Sequence, residues 1–95
     1  MYEIDKYVEL IKKGNYFDAH EVLENVWRDL RKTDNDIQWA YKGLINAAVA
    51  LELKKRQRPE YVYKKVWENF EKYKEYYKLN EKILKTSYFV AKFKI

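Results

Sequence analysis

The sequence predicts an all-α fold: an antiparallel bundle of about four helices, closed by a short C-terminal helix or an extended arm. Three observations predict it. Apolar residues recur at three- and four-residue spacing along most of the chain. Helix breakers are rare, with two glycines and one proline, and two of those three fall between the apolar stripes. The central segment GLINAAVALEL is apolar on nearly every side, as a helix surrounded by other helices must be.

The first helix is expected from Tyr2 to Lys13, with Ile4, Tyr7, Val8 and Ile11 inward. Gly14 and Asn15 end it, and Asn15 is placed to cap the next. The second helix runs from Tyr16 to Lys32 on the stripe Tyr16, Ala19, Val22, Leu23, Val26, Trp27 and Leu30. Thr33 to Asp36 is a polar turn in which Asp34 or Asp36 caps the third helix, Ile37 to Arg56. Gly43 lies inside that helix, where glycine is costly. With Ala47 and Ala50 it forms a small-residue side that lets another helix come close. Pro59 separates the fourth helix, Glu60 to Leu79, whose inward stripe is Val62, Val66, Phe70, Tyr73 and Tyr77. From Asn80 to Ile95 the pattern divides. Ile83 and Leu84 suit a helix, whereas Phe89, Ala91, Phe93 and Ile95 alternate as in a strand. Short connections make consecutive helices antiparallel neighbours.

Ninety-five residues suffice for one domain, residues 1–95. So short a chain needs a dense core, and ten tyrosines, four phenylalanines and three tryptophans supply the bulk. That many aromatics can also serve a subunit interface, so a homodimer through an aromatic surface is an expected partner arrangement. There is no cysteine, which rules out disulfides, thiolate metal sites and a cysteine nucleophile. The N-terminus MYEIDKYVEL lacks an apolar signal core, and no run is long enough to span a membrane. A cytoplasmic location is therefore expected. The net charge of +5 comes from lysines and arginines mixed with acids. The one basic run, Lys54 to Arg58, ends a helix where cations complement the dipole. A nucleic-acid partner is not expected from this pattern.

Candidate chemistry centres on His20, the single histidine. His20 and Glu24 are four residues apart on the second helix and share a face. Trp27 and Arg28 follow one turn on, with Arg28 spaced to pair with Glu24. Such a pair can orient an imidazole for acid–base work, or offer two ligands to a metal. The string HEVLE resembles the zinc-protease helix HExxH with Glu24 in place of the second histidine. A full ligand set is harder to find: there is no second histidine or cysteine, and the third helix offers Glu52 alone. His20 and Glu24 thus stand as weak metal candidates, and no cofactor is indicated. The structural alternative is a border histidine that locks helix register. Gln38, Lys42 and Asn46 form a polar stripe on the third helix that either meets His20, Glu24 and Arg28 or faces solvent.

The segment Gly14 to Arg28, GNYFDAHEVLENVWR, and the block Gly43 to Leu51, GLINAAVAL, together resemble domain of unknown function family 309. Asn46 stands where that family usually has glutamine. The resemblance covers roughly Tyr7 to Tyr77 and leaves the tail aside. It implies a small all-helical cytoplasmic protein with no established activity. Carried over residue by residue, it marks His20, Glu21, Glu24, Trp27 and Arg28, to which the sequence adds Gln38 as a neighbour across the bundle. The expected function is a binding or scaffold module, with a metal-dependent or acid–base enzyme acting on a small molecule as the alternative.

Overall fold

A computed structural model of the chain describes residues 2–95. Six helices follow in order: α1 Tyr2–Lys12, α2 Tyr16–Leu30, α3 Ile37–Lys55, α4 Glu60–Lys72, α5 Lys74–Tyr77 and α6 Glu81–Ala91. Helix α3 occupies the centre. Its buried residues include Ala40, Tyr41, Gly43, Leu44, Ala47, Ala48 and Leu51, which point in nearly every direction around the axis.

Side-chain pairings fix the directions. Trp27 near the end of α2 meets Lys42 near the start of α3, while the first turn of α2 faces the last turn of α3, so the two run antiparallel. Helices α3 and α4 are antiparallel as well, with Trp39 stacked on Tyr73 and Asn46 bonded to Asn69. Helix α1 runs parallel to α3: the Tyr7 hydroxyl donates to the Leu44 carbonyl at 2.7 Å and the Tyr41 hydroxyl to Glu3. Helix α6 runs beside α1, tied by Lys82 to Asp5 at 2.8 Å.

The turns follow from local chemistry. Gly14 takes a positive φ of 78° after α1, which suits glycine, and the Asn15 N–H returns to the Leu10 carbonyl at 2.9 Å. Asn15 occupies the cap position of α2, but its side chain makes no cap bond. Nor does Asp36 cap α3; the Asn35 side chain accepts from the Ile37 N–H at 3.0 Å instead. At the end of α3, Gln57 adopts a left-handed φ of 60° and the Arg58 N–H reaches back to Leu53. Pro59 then prevents continuation.

Two expectations need correction, and one alternative left open is resolved. The fourth helix does not run unbroken to Leu79: it stops at Lys72, and α5 starts anew after Tyr73. The break turns Tyr77 toward α3, where its hydroxyl donates to the Phe70 carbonyl at 2.6 Å. That carbonyl lies in the last turn of α4, where helical partners run out. Gly43 is explained by the same ring. A Cβ at Gly43 would overlap the Tyr77 hydroxyl, so glycine admits a tyrosine there rather than a helix backbone. The tail is helix, not an extended arm. Ile83, Thr86, Ser87 and Val90 are buried at helical spacing, and the Asn80 side chain caps the start by accepting from the Ile83 N–H at 3.0 Å. Thr86 and Ser87 satisfy their hydroxyls on the carbonyls of Lys82 and Leu84, which lets them face inward.

Tyr7, Tyr77 and Tyr41 share one electrostatic trait. Burial pushes each phenol above its usual range, most simply for Tyr7, where it is the sole cause. An ionised phenol in a low-dielectric interior is disfavoured. No helix of the described residues is long and apolar enough to cross a membrane.

Candidate functional site

Antiparallel packing of α2 on α3 opens a cleft where the start of one helix meets the end of the other. Tyr16, Phe17 and His20 come from the first turns of α2. Val49, Glu52, Leu53 and Arg56 come from the last turns of α3. They enclose a cavity of about 330 Å³, within the size range of a small ligand or a partner's side chain. Four walls are apolar or aromatic, and three ionisable groups stand among them: an imidazole, a carboxylate and a guanidinium.

His20 is oriented from two sides. Its ring lies 5.8 Å from that of Phe17, tilted by 57°, and its Nε2 sits 3.5 Å from Glu24 Oε2. Both side chains keep 23% of their exposure, so neither is sealed in the core nor fully hydrated. The other Glu24 oxygen lies 3.9 Å from Arg28 Nε, and an Arg28 nitrogen approaches the Asn25 amide oxygen at 3.5 Å. These are long contacts. Across the cleft Glu52 and Arg56 form a tight pair at 2.6 Å.

The structure thus brings His20, Glu24 and Arg28 together in one chain along α2. Trp27 is adjacent on the same helix but turns toward α3, with the Lys42 ammonium 4.3 Å from its ring centre. Glu21 is half-buried and makes no ion pair among the described residues. Gln38 does not join the cluster. Its amide donates to the carbonyls of Thr33 and Asn35, at 3.2 and 3.3 Å, and so braces the turn before α3. Asn46 likewise faces elsewhere, toward Asn69 of α4 and the Lys42 carbonyl. Of the polar stripe on α3, Lys42 alone reaches a residue of the expected set.

Of the seven cleft residues His20 alone is among the expected site residues, and Arg56 and Phe17 are the most prominent of those not expected. Arg56 belongs to the basic run at the helix end, and Phe17 is an exposed aromatic. The signal that finds them is the antiparallel register, which sets the first turn of α2 against the last of α3. As for metals, no group of three or more His, Cys, Asp or Glu side chains converges among the described residues. His20 and Glu24 offer two ligands, and most protein sites supply three or four. The hydroxyls of Thr86 and Ser87 are engaged within α6 and line other grooves, so neither is a nucleophile for His20.

Comparison with known proteins now places this geometry. Residues 4–64 match the family described as Domain of unknown function (DUF309). The chain belongs to that family. The match spans α1, α2, α3 and the first turn of α4, so the whole cleft lies inside the DUF309 region and α5 and α6 lie outside it. The chain is also similar to an uncharacterized protein of Aquifex aeolicus (strain VF5), 36% identical over 64 residues. That stretch is 60% of this chain and 19% of the relative, so the chain spans about a fifth of the relative's length. No solved structure matches.

Proposed function

We propose that this DUF309 chain is a binding module whose site is the cleft between α2 and α3. The observation that carries the reading is the lining itself. Apolar walls from Tyr16, Phe17, Val49 and Leu53 surround His20, Glu52 and Arg56, which is the composition of pockets that hold an amphipathic group. The match to a relative of which it covers about a fifth supports a unit that works as one part of larger proteins. The occupant in view has an apolar body and one polar end that either bonds His20 or exchanges with the Glu52–Arg56 pair. Self-association through exposed aromatics such as Tyr61 and Tyr88 belongs to the same proposal, and sedimentation equilibrium measures it.

The single histidine makes the test direct. One imidazole signal in the proton spectrum reports the cleft. Benzoate and benzylamine, an acid and an amine on the same apolar ring, are titrated in turn. Saturable movement of the His20 signal by one of them, lost in Arg56→Met or Glu52→Gln, supports the reading. Movement confined to residues outside the cleft contradicts it.

A second reading is acid–base chemistry on a small molecule. It is favoured by His20 standing between Glu24, at 3.5 Å, and a cavity that also holds Glu52. With no nucleophile beside it, the chemistry open to His20 is proton transfer on a bound molecule. The readings separate on turnover: an enzyme converts the bound molecule and loses that conversion in His20→Gln, whereas a binding module releases the molecule unchanged.

A further inference from the structure

The end of the bundle where α3 finishes collects the chain's positive charge. Helices α1 and α6 run parallel to α3, and α2 and α4 antiparallel to it, so three helix C-termini and two N-termini meet there. Contacts tie them together. Lys55 Nζ donates to the Gly14 carbonyl at 2.9 Å, the Tyr16 and Phe93 rings meet edge to face at 6.4 Å, and Lys12 Nζ stands 5.8 Å from the centre of the Phe89 ring. Residues 12–18, 52–60 and 92–95 make up this end. Their side chains include eight lysines and arginines against three acids, Asp18, Glu52 and Glu60. That difference equals the whole net charge of +5, and the remaining twelve bases and twelve acids cancel. The opposite end, residues 2–6, 28–38 and 71–82, carries eight of each sign. Along the sequence bases and acids are mixed, and that pattern gives no reason to expect nucleic acid. The fold sorts them by end.

Local needs do not account for the excess. Each helix terminus carries about half a charge, so three C-termini and two N-termini leave about half a negative charge in all. Ion pairing is no better an explanation. Lys12, Lys54, Lys55, Arg58, Lys92 and Lys94 are exposed and pair with no acid among the described residues. Like charges gathered in this way repel each other and attract a polyanion. Aromatic faces stand among them. Tyr61, in the first turn of α4, is 77% exposed, and Phe17, in the first turn of α2, 49%. A groove of about 480 Å³ lies between them in the bundle end, walled by Tyr16, Leu51 and Phe93 with Lys54 and Lys55 beside it.

We propose that this end of the bundle binds single-stranded nucleic acid. Cations that follow a phosphate backbone and aromatic faces that receive unpaired bases are the two parts such a surface combines. A duplex hides its base faces. An acidic peptide supplies charge but need not stack. A membrane surface favours inserted apolar side chains, and Phe17 is the one exposed large side chain here without a polar group. The proposal does not depend on a ligand in the His20 cleft.

A fluorescein-labelled oligothymidylate is titrated with the whole chain and followed by anisotropy. Five phosphate contacts make the affinity fall about a hundredfold between about 50 and 200 mM sodium chloride. Two triple variants remove the same charge from opposite ends: Lys54→Gln with Arg58→Gln and Lys92→Gln, and Lys32→Gln with Lys72→Gln and Lys74→Gln. All six residues are exposed and outside ion pairs among the described residues, so both variants keep the fold, which far-UV circular dichroism checks. The first should weaken binding about tenfold or more, and the second about twofold or less. Tyr61→Ala should weaken it about fivefold or more through lost stacking. Equal losses in the two triple variants, unchanged affinity in Tyr61→Ala, or tighter binding of a duplex of the same length would overturn the proposal. So would equal displacement by polyglutamate or by phosphatidylserine vesicles at matched charge, which would make the partner an acidic protein or a membrane.

Discussion

The two flanks of α3 treat polar groups in opposite ways. Toward α1 and α5, buried hydroxyls are satisfied at short range: Tyr7 on the Leu44 carbonyl at 2.7 Å and Tyr77 on the Phe70 carbonyl at 2.6 Å. Toward α2, the Glu52–Arg56 pair is tight at 2.6 Å, but the half-buried polar groups on α2 itself make long contacts or none. His20 lies 3.5 Å from Glu24, Glu24 3.9 Å from Arg28, and the Trp27 nitrogen bonds to nothing. A chain that closes its bonds on one side of a helix has the means to close them on the other. On the binding reading proposed above, the open side is where an outside group would be accommodated, because preorganised but unsatisfied donors and acceptors are what binding requires. On that reading the contrast separates residues that hold the fold from residues proposed for the site, although both flanks carry tyrosines or tryptophans.

The largest effect should come from the closed flank. Gly43→Ala forces a methyl group into the position of the Tyr77 hydroxyl. The rigid ring can yield only by moving α5, so a loss of about 1–3 kcal/mol is expected in urea denaturation. Unchanged stability in the Gly43→Ala variant would show that Tyr77 is loosely held and would weaken the contrast.

Alkaline pH probes the same flank. Tyr7 ionises near pH 10 in the unfolded chain, whereas burial keeps it protonated well above that in the folded protein. Its contribution is fully present below pH 10 and is lost as the pH rises from there through the folded-state value. Stability should fall by about 1.4 kcal/mol per pH unit for each such tyrosine above pH 10. Tyr7→Phe should make that fall shallower by one such increment. Equal slopes for Tyr7→Phe and wild type would mean that Tyr7 is not held neutral. A smaller change is expected on the open flank. Glu24→Gln removes two long helical contacts and should cost no more than about 0.5 kcal/mol. A loss of several kcal/mol would make Glu24 a structural residue.

Much of the bundle can be read from residue spacing, because the stripes of α1, α2 and α3 are long and strongly apolar. One feature escapes it and another is left open. The break at Tyr73 has no glycine or proline to announce it, since it follows from the fit of Tyr77 into the slot at Gly43, a contact between residues 34 positions apart. Helix α6 is legible only as one of two alternatives, because its inward stripe includes Thr86 and Ser87, which do not count as apolar, while Phe89, Ala91 and Phe93 happen to alternate. The site divides in the same way. His20, Glu24 and Arg28 lie on one helix, where spacing alone brings them together. Glu52 and Arg56 arrive from α3, and only the helix pairing puts them beside His20. Gln38 has the right position along α3 to approach α2, but nearby carbonyls of the preceding turn compete for its amide.

The sharpest test sets the two flanks side by side in one denaturation experiment, with Tyr7→Phe and Lys42→Met measured against the parent protein at neutral pH. Tyr7→Phe removes a satisfied buried bond and should lose about 1 kcal/mol. Lys42→Met replaces a half-buried, unpaired cation by an apolar chain of similar length, and should lose nothing or gain stability. A loss for Lys42→Met equal to or greater than that for Tyr7→Phe would contradict the account, because the open flank would then be holding the fold.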